Sequence, residues 1–299
     1  METQRIYWLG AALLILLSVL LYFFLQSPLR GFAPGTLIGA DGIASAVSLS
    51  LTTRTLEPPS VSAGEKASLL AAVPDYTMEK FALLSRTKDG VRHIVITDSK
   101  GGKRVSVKDG TSDVPAWSSD GSSIAFSELN ETGSSTNAGD PDQWLVLRAV
   151  PNGNSLVVGR GYHPHPSSGQ RTIALTSTGI ALISYSDAKP TVVVASPTFV
   201  PITTPFAVSE DGMRVAWVAP ADHSLQVFEN KNGYFVPLLL THALEPRTMA
   251  FSPDGSYLLG TTYSGATTTV SLITVSGGKV STVGAYPGYL KLHTWLYEK

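Results

Sequence analysis

A turn that returns at blade-like spacing constrains this chain more than any other feature. Small residues, usually with Asp-Gly, precede an apolar strand. The turn reads Trp117-Ser118-Ser119-Asp120-Gly121 before Ser123-Ile124-Ala125-Phe126, and Val208-Ser209-Glu210-Asp211-Gly212 before Arg214-Val215-Ala216-Trp217. It returns as Phe251-Ser252-Pro253-Asp254-Gly255 before Tyr257-Leu258-Leu259. A degenerate copy, Pro166-Ser167-Ser168-Gly169 before Thr172-Ile173-Ala174-Leu175, fills the gap between the first two. With Asp120, Gly169, Asp211 and Asp254 as equivalents, the steps are 49, 42 and 43 residues. A period in the forties is that of a four-stranded propeller blade. A weaker copy, Val73-Pro74-Asp75 before Lys80, sets Asp75 45 residues ahead of Asp120 as its counterpart.

A second marker keeps step with the first. Five strands are each followed by a tight turn and another strand: 93–97 with Gly101-Gly102, 144–147 with Asn152-Gly153, 180–185 with Asp187-Ala188, 225–228 with Asn232-Gly233, and 270–274 with Gly277-Gly278. Gly-Gly and Asn-Gly suit two-residue hairpins, whose central residues need positive φ. Val-, Ile- and Leu-rich flanks with frequent alternation read as half-buried strands. The expected fold is all-β, a propeller of four-stranded blades. Five blades run from about Ala67 to Tyr289. The terminal Leu292-His293-Thr294-Trp295 stands where a sixth inner strand belongs, and 36–52 supplies its outer strands; five blades is the alternative. Such closure protects sheet edges that would otherwise pair promiscuously.

The motif resembles that of the TolB-type, WD-repeat-like propellers, a small-aromatic pair followed by Ser-Pro-Asp-Gly and an apolar strand. Phe251-Ser-Pro-Asp-Gly255 matches it in full, and the turns at 117–121 and 208–212 depart at the proline. The resemblance implies the fold of the chain beyond its first sixty-odd residues. It does not carry over the TolB role, because the separate α/β domain that precedes the TolB propeller has no counterpart here.

Ile6 to Leu25 is uncharged, Leu-dominated and flanked by Tyr7, Trp8, Tyr22, Phe23 and Phe24. As a helix it spans roughly 30 Å, the thickness of a bilayer core, with aromatics at both interfaces. The apolar stretch exceeds a signal-peptide h-region, and no small-x-small cleavage site follows closely. The expected organisation is a short cytoplasmic head at 1–5, an anchor at 6–25, a Gly/Pro/Ser/Thr-rich tether at 26–66 and the propeller at 67–299. The expected location is a single-pass membrane protein, its amino terminus cytoplasmic and its propeller in the periplasm or at the cell surface. The rival reading is a cleaved signal peptide. The chain has no Cys, which rules out a lipoprotein anchor and fits an exported protein without requiring one.

With 22 basic and 23 acidic residues and no basic run, the composition excludes a nucleic-acid surface. Nucleotide-loop, zincin and nucleophile-elbow motifs are absent from the sequence. Gly101-Gly102-Lys103 and Gly277-Gly278-Lys279 sit between strands with no helix following, so both read as hairpin turns. No cofactor and no catalytic residue is expected. Asp120-Gly121, Asp211-Gly212 and Asp254-Gly255 read as structural turn residues, the carboxylates hydrogen-bonding turn backbone. His163 and His165, in Tyr162-His-Pro-His-Pro166, are the residues best spaced for a metal, since i and i+2 of an extended segment share a side. The competing reading makes them polar residues at a stiff strand start.

The working surface is expected among the loops opposite the Asp-Gly and Gly turns. Partner-binding candidates are Tyr162, His163, His165, Phe199, Val200, Ile202, His242, Arg247, Tyr286 and Tyr289. The expected function is a membrane-anchored, non-catalytic platform for a protein or an envelope glycan. The alternatives are a lactonase- or lyase-like enzyme working in the central channel, and a sensor or assembly subunit of a membrane complex. Apolar inner strands (Val114-Pro-Ala-Trp117, Phe206-Ala-Val208, Met249-Ala-Phe251) argue against the enzyme. A five-residue head argues against the sensor.

Overall fold

The computed structural model describes residues 36–40, 46–49, 56–57, 69–75, 79–86, 91–98, 104–109, 114–128, 143–149, 153–167, 170–186 and 190–295. The expected anchor at 6–25 lies outside these residues. Among the described residues no helix is long and apolar enough to cross a membrane.

Every described element is a strand, and all pairings are antiparallel. The first strands are β1 (Thr36–Ala40), β2 (Ala46–Leu49) and β3 (Leu56–Glu57), followed by β4 (Leu69–Pro74), β5 (Lys80–Arg86), β6 (Arg92–Asp98) and β7 (Arg104–Asp109). Next come β8 (Ala116–Trp117), β9 (Ser123–Glu128), β10 (Gln143–Ala149), β11 (Ser155–Ser167), β12 (Arg171–Thr176), β13 (Gly179–Ser184) and β14 (Pro190–Ala195). Then follow β15 (Phe206–Val208), β16 (Arg214–Val218), β17 (Leu225–Lys231) and β18 (Tyr234–Thr241). The last are β19 (Thr248–Phe251), β20 (Tyr257–Ser264), β21 (Thr267–Thr274), β22 (Val280–Pro287) and β23 (Leu290–Trp295).

These strands build a β-propeller of four-stranded blades. Four sheets have four strands: β4 to β7, β15 to β18, β19 to β22, and β23-β1-β2-β3. A seven-stranded sheet runs from β8 to β14. Its thirteen-residue β11 pairs β10 through its first half and β12 through its second, so two four-stranded units share one strand. The sheet β23-β1-β2-β3 joins the two ends of the described chain, with Thr36 opposite Trp295 and Ala40 opposite Leu290. Its third strand lies at Leu56–Glu57, beyond the 36–52 segment that the sequence suggested.

The core lies between consecutive sheets. Ala82, Leu84, Ile94 and Ile96 pack against Trp117, Ile124 and Phe126 of the next unit. Val218, Leu225 and Val227 meet Met249, Phe251 and Leu258, while Leu259, Val270 and Leu272 meet Leu290 and Leu292. Each Leu, Ile, Val, Met or Phe among them, wholly buried, contributes about 1.5–3 kcal/mol. The Trp117 indole donates across a unit boundary to the Val73 carbonyl, 2.8 Å away.

The recurrent turns share one hydrogen-bond plan. Ser118, Ser209 and Ser252 each donate through Oγ to the aspartate two residues on, at 2.6 Å. Each Oγ also accepts the backbone N–H five residues on, at 3.0, 2.8 and 3.0 Å. Asp120, Asp211 and Asp254 accept from the N–H two residues beyond themselves. Gly121, Gly212 and Gly255 hold φ of 65°, 69° and 67°. The structure corrects the alignment of Asp75. Its N–H donates to the Lys80 carbonyl as Ser118 N–H does to Ser123, and its carboxylate accepts from Glu79 and Lys80 N–H. Asp75 therefore fills the serine slot, two residues before the position of Asp120. A carboxylate and a hydroxyl can both accept the closing backbone N–H, which is why the two are exchangeable there.

Candidate functional site

The inner strands surround a central channel with a cavity of about 650 Å³. Its wall is mixed: Val114, Ala116, Ala207 and Met249 of the inner strands line it as the sequence suggests, together with the polar His163, His165, Thr204 and Thr248. Inner strands run from the loop face to the Asp-Gly face, so Glu210, Ser252 and Pro253 mark one mouth. Arg247, Tyr263, Tyr289 and Lys291 mark the other.

The loop-face mouth is built by local hydrogen bonding. The Gly288 backbone, at φ 86°, turns the chain between β22 and β23. Thr268 Oγ1 donates to Gly288 O at 2.6 Å and accepts Leu290 N–H at 3.1 Å. That clamp sets the Tyr289 ring on Tyr263, with centroids 3.7 Å apart and planes inclined by 24°. The Tyr263 hydroxyl donates to Leu290 O at 2.5 Å. Leu292 N–H donates to Thr248 Oγ1 at 2.9 Å, tying the closing strand to β19. Tyr289 keeps 44% of its surface exposed. Arg247, also exposed, is fixed through its backbone N–H to Thr261 O at 2.7 Å. The stacked pair lines the same mouth as the cationic Arg247 and Lys291, which makes the mouth partly apolar and cationic.

Within the channel, β11 carries both histidines through a break in its register between Tyr162 and His165. His163 takes φ 52° there and sets Nε2 2.7 Å from Ile202 O. His165, half-buried, sets Nδ1 2.9 Å from Pro166 O. Burial pushes the His165 imidazole down to about 4, against opposing pulls from Pro166 O and the Asp211 carboxylate. Burial, then the Asp211 charge, pushes the Glu210 carboxyl up. On the Asp-Gly face, the Ser118 hydroxyl, then the Ser122 backbone and hydroxyl, hold Asp120 down to about 2. Burial resists the same effect at Asp254, where hydrogen bonds from Ser252 and Ser256 nonetheless lower its carboxyl. Among the described residues no three His, Asp, Glu or Cys side chains group to hold a metal ion.

The ten partner-binding candidates separate into three groups. His163, His165, Ile202, Arg247 and Tyr289 come together on the channel lining. Phe199 (52% exposed) and His242 lie outside it, His242 3.7 Å from Asp222. Tyr162, Val200 and Tyr286 are buried in the core, where they offer a partner no surface. Tyr162 donates its hydroxyl to the Thr176 and Val200 carbonyls, so both residues fasten the loop from which Phe199 projects. Tyr263, Lys291, Arg92 and Glu210 also line the cavity and were not among the candidates. Tyr263, Lys291 and Arg92 sit at strand ends that no repeat marks, and Glu210 occupies a variable position inside the repeated turn.

This architecture is that of a β-propeller, and solved structures of the same fold place it near the TolB type. TolB from Acinetobacter baumannii is 15% identical with a TM-score of 0.66, over 88% of this chain and 66% of that one. The matched region is thus just under two thirds of that TolB chain. A nidogen/laminin complex matches at 10% identity and TM-score 0.58, over 88% and 97% of the two chains. An oligogalacturonate lyase in complex with manganese matches at 14% identity and TM-score 0.56, over 83% and 73%. No protein-family model and no curated protein sequence matches the chain.

Proposed function

We propose that this protein is a membrane-anchored propeller of six blades, two sharing β11, that binds a protein or glycan at the loop-face mouth of its channel without catalysis. The carrying observation is the Tyr263–Tyr289 stack at a mouth that Arg247 and Lys291 also line. Exposed Tyr and Arg on a rigid frame are the side chains that dominate binding energy at interfaces. The nidogen/laminin complex supports a protein partner by analogy of fold. The propeller lies outside the cytoplasm, held by Ile6–Leu25.

Crosslinking and pull-down of the anchored protein from its own membrane, repeated with Tyr289→Ala and Arg247→Ala, tests this reading. Each substitution is expected to weaken capture about 30-fold, the equivalent of a 2 kcal/mol interface residue. Undiminished capture by both variants overturns the assignment of the mouth. The enzyme alternative draws on one observation, that His163, His165 and Glu210 line one channel. Turnover of a lactone or uronate substrate, abolished in His165→Asn, would establish that reading instead.

A further inference from the structure

The point at which the chain joins the propeller fixes which face the membrane sees. β23 starts on the loop face at Leu290, immediately after Tyr289, and ends at Trp295 on the Asp-Gly face. β1 runs antiparallel to it, so Thr36, opposite Trp295, begins on the Asp-Gly face. Only residues 26–35 separate Thr36 from the end of the apolar segment at Leu25. Ten residues reach at most roughly 33–36 Å when fully extended. Pro28 and Pro34 do not lengthen that reach.

Turning the other face to the bilayer would route this tether around the closing sheet. It would pass β2 and β3, about 5 Å each, and climb a six-residue strand of about 20 Å. That path of about 30 Å consumes nearly the whole reach and would press the mouth against the headgroups. With the Asp-Gly face toward the bilayer, no such path has to be spanned.

We propose that the tether holds the Asp-Gly face toward the membrane and presents the Tyr263–Tyr289 mouth away from it. The partner, protein or glycan, is then met on the side away from the anchoring bilayer and not as a component lying flat on it. The inference rests on the reading of Ile6–Leu25 as an anchor, and its test separates the two.

The chain has no Cys, so single-cysteine variants give one label each. Exposed Ala243 lies on the loop face between β18 and β19, and exposed Ser276 on the opposite face between β21 and β22. Full-length Ala243→Cys and Ser276→Cys, fluorophore-labelled, are reconstituted into phosphatidylcholine vesicles containing a headgroup-nitroxide lipid. Loss of fluorescence is expected at Ser276 and not at Ala243. Equal quenching, or stronger quenching at Ala243, overturns the orientation while leaving the anchor intact. Protein that fails to float with the vesicles overturns the anchor and the orientation with it. Inserting a twenty-residue Gly/Ser linker after Arg30 is expected to abolish the asymmetry. Persistence of the asymmetry would show that the tether is not its cause.

Discussion

Gly212 carries two separable demands, and replacing it by alanine tests whether the repeated turn also joins neighbouring units. At φ 69° any side chain is strained, by roughly 1–2 kcal/mol. The second demand is space. A Cβ at position 212 would stand 2.9 Å from Ser167 Cβ and 3.4 Å from its Cα, both belonging to the turn of the preceding unit. Gly265 is the internal control, with φ 59° and nothing within 4 Å of its virtual Cβ. Gly265→Ala should cost only the backbone strain, partly offset by a stiffer unfolded chain, about 1 kcal/mol in all. Gly212→Ala should add roughly 1–3 kcal/mol of overpacking, for a total of about 2–4 kcal/mol. Urea unfolding followed by tryptophan fluorescence measures both, and Gly212→Ala with Ser167→Gly should recover most of the packing part. Equal losses at 212 and 265, or no recovery in the double variant, would refute the idea that the turns lock unit to unit.

Two further outcomes follow from the buried contacts. Trp117→Phe removes the indole bond to Val73 O at a unit boundary, a carbonyl that also belongs to the β4–β5 ladder, and should cost about 0.5–1.5 kcal/mol in urea unfolding before any packing loss. His165 has a folded-state pKa of about 4 against an ordinary 6.5, so the unfolded chain binds the proton first as pH falls. Stability should decline between pH 6.5 and 4 by up to about 3 kcal/mol and then level off, while Glu210, raised by burial, pulls the other way. The difference between wild type and His165→Asn in that window isolates the histidine, and parallel pH profiles would discount it.

Many of the strands were legible because they carry their own signal, alternating apolar residues next to turns such as 120–121, 211–212, 232–233 and 254–255, each of which includes a positive φ. The closing sheet was legible for a related reason: a lone inner strand at 292–295 and surplus strands near 36–52 each lack partners unless they pair with each other. What sequence could not supply were contacts made only once the ring exists. The repeated glycines read as a backbone requirement, yet Gly121 faces Asp75, Gly212 faces Ser167 and Gly255 faces Arg214, in each case the preceding unit. Asp75 went into the wrong slot for a similar reason, since a carboxylate there accepts the bond that serine accepts elsewhere, and only the backbone pairing to Lys80 discriminates the two. In the site, aromatic residues near loops looked available: Tyr289 is exposed, while Tyr162 fastens the Val200 loop from beneath and Tyr286 packs in the core. Tyr263 was invisible as one more tyrosine after a Thr-rich strand, and acquires its place from the Thr268–Gly288 clamp that lays Tyr289 upon it. The repeat therefore specifies the frame, and the mouth arises where the repeat is broken, at the junction that also decides which way the mouth faces.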